Sequence, residues 1–304
     1  MNGLINVYKE KGYTSFDVVA KMRGILKERR IGHTGTLDPE AEGVLVLCVG
    51  NATKIVDYLT DRRKEYIAEM RLGITTDTED VTGEILTENQ NIPAEDDVKK
   101  ACEAFVGKIM QIPPMYSAIK VGGRKLVDIA REGGEVERKP REVEIYSIDC
   151  EKVENDLYRL RVNCSKGTYI RTLCADIGKK LGCGAAMASL VRTRTGSFTL
   201  DDCITVDDLD NMTFEERLKL PKPVESLFAD LPEITVPDFY AKLLRGGTPL
   251  FQRKLKCSFE TGTLLRIRNR GQFIALGRAC EIDGEKVIKA KKLFVLEEKK
   301  EDAT

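Results

Sequence analysis

The 304-residue sequence has no tryptophan and a single histidine, His33. One histidine rules out a multi-histidine metal centre. Any Ser/His/Asp or Cys/His nucleophilic arrangement would have to be built on His33 itself. The nine cysteines are scattered, odd in number and never spaced Cys-x-x-Cys. That pattern argues for buried thiols in a reducing compartment, expected to be the cytoplasm, and against a zinc site. Cys48, Cys164 and Cys174 lie in apolar surroundings and read as core residues. Long apolar runs are also missing. The longest, Val44–Val49, is far too short to span a bilayer, and Lys9 and Lys11 follow too short an apolar stretch for a signal peptide. No Gly-x-x-x-x-Gly-Lys-[Ser/Thr] loop occurs. Gly182-Cys183-Gly184 begins a dinucleotide-like pattern, but Met187 stands where the third glycine belongs and a helical pattern precedes it. Neither a metal nor a nucleotide or nicotinamide cofactor is expected.

What the chain does have is 42% apolar and 32% charged residues with a formal net charge of zero, the balance of a folded globular protein. Its length allows a sizeable core and two domains. Ser15 can cap a helix running to about Arg30, with Val18, Met22, Ile25 and Leu26 on one face. Tyr66–Leu72 alternates as a strand, and residues 95–106 read as a helix. Tyr158, Leu160, Val162 and Cys164 alternate with polar residues, and a helix over Thr172–Leu181 follows. Helices and strands mix without a strict βαβ rhythm. The expectation is therefore α+β, with a mixed or antiparallel sheet. Rising proline and acid content between Asp201 and Pro237 suggests a linker. Beyond it, Leu264–Arg268, the turn Asn269-Arg270-Gly271 and Phe273–Leu276 read as a hairpin. Residues 253–292 hold 11 Lys/Arg against 4 Asp/Glu, either an ordinary solvated face or a phosphate-contacting surface that includes Lys291 and Lys292.

Residues 32–45 read Gly-His-Thr-Gly-Thr-Leu-Asp-Pro-Glu-Ala-Glu-Gly-Val-Leu. Three glycines and a proline in so short a stretch describe a shaped loop. Asp38, fixed before Pro39 on that loop, is placed either to act as a nucleophile or base or to cap the next element. Further blocks follow: Lys64-Glu65-Tyr66, Pro113-Pro114-Met115-Tyr116-Ser117-Ala118-Ile119-Lys120, Gly123-Arg124-Lys125 with Ala130-Arg131-Glu132-Gly133, Arg138-Lys139-Pro140-Arg141, and Gly167-Thr168-Tyr169-Ile170-Arg171. Together with Gly32–Pro39 these resemble, in order and over most of residues 1–200, the motifs of the bacterial tRNA pseudouridine-55 synthases, the TruB family.

The resemblance implies an enzyme that isomerises uridine 55 in the tRNA T-loop to pseudouridine, without cofactor, on a base flipped out of its stack. It implies a catalytic domain over residues 1–230 and a small β-rich PUA-like RNA-binding domain over 235–297, with a charged tail at 298–304. Within the first, residues 113–142 resemble an insertion that grips the RNA stem-loop. It assigns Asp38 as the reacting carboxylate, Arg171 as its ion-pair partner and Tyr66 as the active-site tyrosine. Tyr169 and Leu190 would wall the pocket, and His33 would fill the space the flipped base vacates. Lys64, Lys120, Arg124 and Arg141 would contact substrate RNA. The implied partner is the T-arm stem-loop, met by a monomer. Lys9-Glu10-Lys11-Gly12 departs from the usual Lys-Pro-x-Gly, and Glu42 and Leu126 also depart from common family residues. Alternatives are an RNA-guided pseudouridine synthase, which shares Gly-Thr-Leu-Asp-Pro, and a noncatalytic RNA-binding or tRNA-folding protein.

Overall fold

A computed structural model describes residues 1–60, 62–117 and 119–294. The side chains of Lys120 and Lys125 and the tail at 298–304 lie outside the described residues. In chain order the first half comprises β1 Gly3–Lys9, α1 Ser15–Leu26, β2 Ile31–His33, β3 Glu42–Val49, α2 Val56–Thr60, β4 Lys64–Leu72, β5 Ile74–Thr76, β6 Ile85–Glu88, α3 Glu95–Glu103, β7 Gly107–Gln111, β8 Lys120–Val121, β9 Arg124–Lys125 and α4 Leu126–Arg131. The second half comprises β10 Arg141–Lys152, β11 Leu157–Cys164, α5 Ile170–Leu181, β12 Ala185–Thr195, β13 Phe198–Thr199, α6 Val206–Asn211, α7 Phe214–Lys219, β14 Glu233–Thr235, α8 Asp238–Arg245, β15 Leu250–Phe251, β16 Leu264–Asn269, β17 Gln272–Ile282 and β18 Glu285–Leu293.

A nine-stranded sheet runs in the order β1-β3-β12-β4-β11-β10-β7, with β2 on β3 and β13 on β12. Its neighbours pair antiparallel except β12 with β3, so it is the expected mixed sheet of an α+β fold. Alternation on β4 and β11 buries Tyr66, Ala68, Met70, Tyr158, Leu160 and Val162 against α3 and α5. A separate cluster packs α1 and α6 on β1 and β3. The first helix is capped one residue earlier than expected. Thr14 accepts from the Asp17 amide in a capping box, and Lys27 turns left-handed and ends the helix before Arg30.

The presumed linker over 201–237 is structured instead. Ile204 bridges to Val7, Lys222 bridges to Leu4, and Val206 and Leu209 enter the core beside α1. Thr205 and Thr213 cap two short helices there, so the acidic residues that made the segment look unstructured are helix first-turn residues. A five-stranded sheet follows in the order β14-β16-β17-β18-β15 and includes the expected hairpin. It does not hang free. Phe273, Leu276 and Phe294 join Phe228, Leu59 and Val46 in one cluster with the main sheet. Lys291 lies 5.2 Å over the Tyr58 ring and Lys292 lies 4.0 Å from Asp57. Both lysines lie beside α2, Lys291 exposed and Lys292 partly exposed, so they remain within reach of solvent at this seam.

Candidate active site

The loop between β2 and β3 is tied down on every side, which is why Asp38 has a fixed place. Leu37 is 3% exposed and packs in the core. The Ser15 hydroxyl accepts from the Leu37 amide and donates to its carbonyl. Asp38 and Ala41 close a turn, and Gly12 donates to the Pro39 carbonyl. Lys9, fully buried, donates from Nζ to the carbonyls of Glu10, Pro39 and Ala41. Burial pushes its ammonium down to about 8.

Opposite the loop, α5 begins immediately after Tyr169 and presents Arg171. Arg171 Nη2 lies 3.0 Å from the Asp38 carboxylate, and Nη1 lies 3.7 Å from Asp80. The same guanidinium donates to the carbonyls of Thr78 at 3.1 Å and Tyr116 at 2.8 Å. Its side chain is 6% exposed while that of Asp38 is 43% exposed. The pair is thus anchored on the arginine side and open on the carboxylate side. Behind it, Glu79 accepts from the Thr172 hydroxyl, and burial raises its carboxyl above the usual range.

A cavity of about 250 Å³ opens beside Asp38, lined by Lys64, Tyr66, Tyr169, Leu190, Arg171 and Arg192 among others. Tyr66 and Arg192 reach its wall from a row across the sheet: Val162 on β11 faces Tyr66 on β4, which faces Arg192 on β12, which faces Gly43 on β3. Gly43 is obligatory in that row, because a Cβ there would sit 2.3 Å from the Arg192 carbonyl oxygen. Tyr66 is 7% exposed, and burial raises the pKa of its hydroxyl. Tyr169 is raised for the same reason, with Arg141 nearby acting in the opposite direction. A second cavity of about 430 Å³ shares Asp38, Arg171 and Leu190 and extends toward Lys11, Asp80, Tyr116 and Arg131. Size does not mark the chemistry. A larger cavity of about 940 Å³ lies between the main body and the C-terminal sheet, where Arg268 and Arg270 are paired with Glu225 and Asp238.

Six of the residues singled out from sequence therefore meet: Asp38, Tyr66, Arg171, Tyr169, Leu190 and Lys64. Lys64 is 6% exposed, and its Nζ donates to the carbonyls of Thr60 and Arg62. His33 lies behind the loop on β2, lining neither cavity, with Nδ1 buried and lacking a partner among the described residues. Arg124 is exposed and paired with Glu132 at 2.6 Å, and Arg141 is exposed at the start of β10. Lys120 opens β8, its side chain lying outside the described residues. Asp80, Lys9 and Arg192 were not found from sequence. Asp80 had the one visible signal, a threonine- and acid-rich turn after β5 whose polar groups bond one another.

Residues 23–170 match the model of the TruB family pseudouridylate synthase (N terminal domain), and residues 171–229 match that of the tRNA pseudouridylate synthase B C-terminal domain. The chain is similar to the tRNA pseudouridine synthase B of Clostridium tetani, 42% identical over 290 residues, covering 95% of this chain and 99% of that one. It is also similar to that of Bacillus pumilus, 48% identical over 261 residues, covering 82% and 84%. Among solved structures it resembles one described as an H/ACA RNP bound to a substrate RNA containing 2'-deoxyuridine. That match has a TM-score of 0.70 at 27% identity, covering 97% of this chain and 85% of the other.

Proposed function

Because this chain belongs to the TruB family of pseudouridylate synthases and isomerises uridine to pseudouridine in tRNA, we propose that Asp38, Arg171 and Tyr66 carry the reaction and that its target is uridine 55 of the T-loop. The observation that carries this reading is the Asp38–Arg171 pair, open on the carboxylate side and set at the mouth of a cavity walled by Tyr66, Tyr169 and Leu190.

The isomerisation breaks the N1–C1′ bond, turns the uracil and joins C5 to C1′. Nothing is added or removed overall. A carboxylate can stabilise or trap a sugar carbon of oxocarbenium character. Asp38 does this here, either at C1′, at the base, or by assisting elimination at the ribose. Arg171 pairs with that carboxylate and aims it, because its planar fork, anchored on the arginine side, sets direction. The uracil must remain bound while it turns, so water must be excluded. The narrow apolar walls serve that need, and Tyr66 takes the C5 proton late in the reaction.

The base reaches the cavity by flipping out of the folded loop. In this reading residues 1–230 form the catalytic domain, with residues 113–142 gripping the stem-loop through Lys120, Arg124 and Arg141. The C-terminal sheet, residues 235–297, is a PUA-like RNA-binding module. His33 supports the loop from behind and contacts the RNA stack. The enzyme works as a monomer in the cytoplasm on the T-arm. Among the described residues no helix is long and apolar enough to cross a membrane. The RNA-guided alternative is not favoured: identity to the tRNA enzymes is 42–48%, against 27% to the RNP protein. Mapping pseudouridine in tRNA treated with the purified protein tests the reading. Modification at position 55 supports it; absence of tritium release from C5-labelled tRNA, with folded protein and RNA, overturns it.

A further inference from the structure

Arg192 carries a charge where a neutral residue would pack at lower cost. Its side chain is among the largest fully buried ones, at 1% exposure. Among the described residues it forms no ion pair. Its guanidinium donates instead to the carbonyls of Val44 at 2.8 Å, Gly35 at 2.9 Å and Thr36 at 3.5 Å. Tyr66 is its cross-strand neighbour on β4 and shares the cavity wall with it. Burying an unpaired guanidinium is strongly unfavourable, and an apolar side chain of similar volume is often neutral or better in such a place. The return must come from the groups it touches. They are the backbone two and three residues before Asp38, the Val44 carbonyl on β3, and Tyr66 beside it on the cavity wall.

We infer that Arg192 is a positioning residue for the isomerisation, whose guanidinium fixes the Asp38 loop through its carbonyls and sets a positive charge beside Tyr66, readying its oxygen to accept the C5 proton. This rests on the roles given above to Asp38 and Tyr66. In the proton step, the ionised Tyr66 oxygen takes the proton from C5. The C5–H electron pair becomes the C5=C6 double bond as the C6=N1 pair moves onto N1, which takes up a proton from water, and Tyr66, left neutral, returns its own proton to water. Arg192 stays protonated throughout. Arg192 from β12, Cys164 from β11 and Asp38 from the loop act most strongly on Tyr66, while Lys64, Tyr169 and Arg171 line the same cavity. Burial, Cys164 and Asp38 all disfavour the ionised hydroxyl, and Arg192 is the one that favours it. Loss of Arg192 should therefore slow proton removal in particular, beyond any loosening of the loop.

The test uses the full-length enzyme in single turnover, at saturating concentration over tRNA carrying uridine or 5-deuterouridine, between pH 6 and 10. Arg192→Lys keeps the charge but loses the fork. With a folded circular-dichroism spectrum and tRNA affinity within about threefold of the parent, its rate should fall about 100-fold. Its deuterium isotope effect should rise and its pH profile should move to higher pH. In a Tyr66→Phe background the same change should cost much less. Should Arg192→Lys fail to fold, Arg192→Gln, which keeps one donor, is read by the same criteria. A rate near that of the parent overturns the inference. So does a slower rate with an unchanged isotope effect and pH profile, because a loosened loop alone would produce that. Asp38→Asn in parallel separates the two readings. If it remains active, the reading of the site itself fails; if it is inactive while Arg192→Lys behaves as the parent, only the role of Arg192 fails.

Discussion

Replacing Arg171 tests the site at its most constrained point. One guanidinium serves four partners in two directions. Nη2 holds Asp38 and the Tyr116 carbonyl, and Nη1 holds Asp80 and the Thr78 carbonyl. Arg171→Ala strands two carbonyls and leaves Asp80, whose side chain is 16% exposed, without its cation. A stranded buried carbonyl costs about 1–2 kcal/mol, and breaking a buried ion pair costs about 3–5 kcal/mol at the upper end. Water reaches Asp38 and screens its share, so that contact adds little to stability. Both carbonyls are only part-buried, so each contribution falls at its low end, and the total should be about 5 kcal/mol, a large part of what a domain this size has to lose. Arg171→Lys should cost about half of that, since one ammonium can face only one of the two sides. Activity should suffer more than stability, because Asp38 loses its direction: about 100-fold for the lysine variant, and more for alanine. Urea unfolding gives the first number, and single-turnover tritium release from C5-labelled tRNA gives the second. Adding Asp80→Asn to Arg171→Ala should recover about 1–2 kcal/mol of stability, because the stranded charge is removed. Arg171→Lys within threefold of the parent in rate, with unchanged urea midpoint, would show that the four contacts do not act together.

Asp38→Asn, nearly isosteric, should abolish pseudouridine formation while leaving tRNA binding within a few fold, as read by filter binding and by pseudouridine mapping; residual turnover near that of the parent removes Asp38 from the chemistry. An isolated T-arm stem-loop should be modified at an undiminished rate in EDTA, because recognition rests on loop shape and backbone contacts and the reaction adds no group; loss of rate with the RNA verified as folded contradicts this. Lys9 makes stability depend on pH in a stated direction. Its pKa falls from the ordinary lysine value to about 8 in the folded chain. Below pH 8 it is protonated folded and unfolded, and the burial cost is fully present; from 8 to 10.5 only the unfolded chain keeps the proton, so stability contributed by this group rises with pH. The unfolding free energy of the parent relative to Lys9→Met should therefore increase between pH 7 and pH 9.5, and a flat or falling difference refutes the assignment.

Much of the fold was legible because its signals are local. The alternation Tyr158, Leu160, Val162, Cys164 against Arg159, Arg161, Asn163 is the burial pattern of β11, and the turn Asn269-Arg270-Gly271 does close β16 onto β17. The segment 201–237 misled for a physical reason. Proline and acidic residues are shared by linkers and by short capped helices. What separates them is whether Val206 and Leu209 find a surface, and that surface is α1, nearly two hundred residues earlier. For Lys291 and Lys292, sequence could not show their neighbours: β18 pairs with β17 so as to set both beside α2, near Tyr58 and Asp57, while Lys291 stays exposed.

The site divides along the same line. Asp38 and Arg171 could be named from sequence because each sits in a stretch that resembles a family motif, Gly32–Pro39 and Gly167–Arg171; by local chemistry alone Asp38 could equally cap the next element. Arg192 and Asp80 carry no such frame. Arg192 looks like one more arginine in the run Val191-Arg192-Thr193-Arg194. Arg194, two positions on, lies on the same strand with its side chain 44% exposed and paired to Glu65. Only the register of β12 between β3 and β4 distinguishes them, by setting Arg192 between Gly43 and Tyr66. Asp80 similarly gains its meaning from Arg171, 91 positions away in sequence yet 3.7 Å away in space. Composition and motif can announce a reacting group. The groups that hold its loop in place are chosen by sheet register, and a one-residue slip of β12 would turn Arg192 to the opposite face and leave the carbonyls of the Asp38 loop unmet.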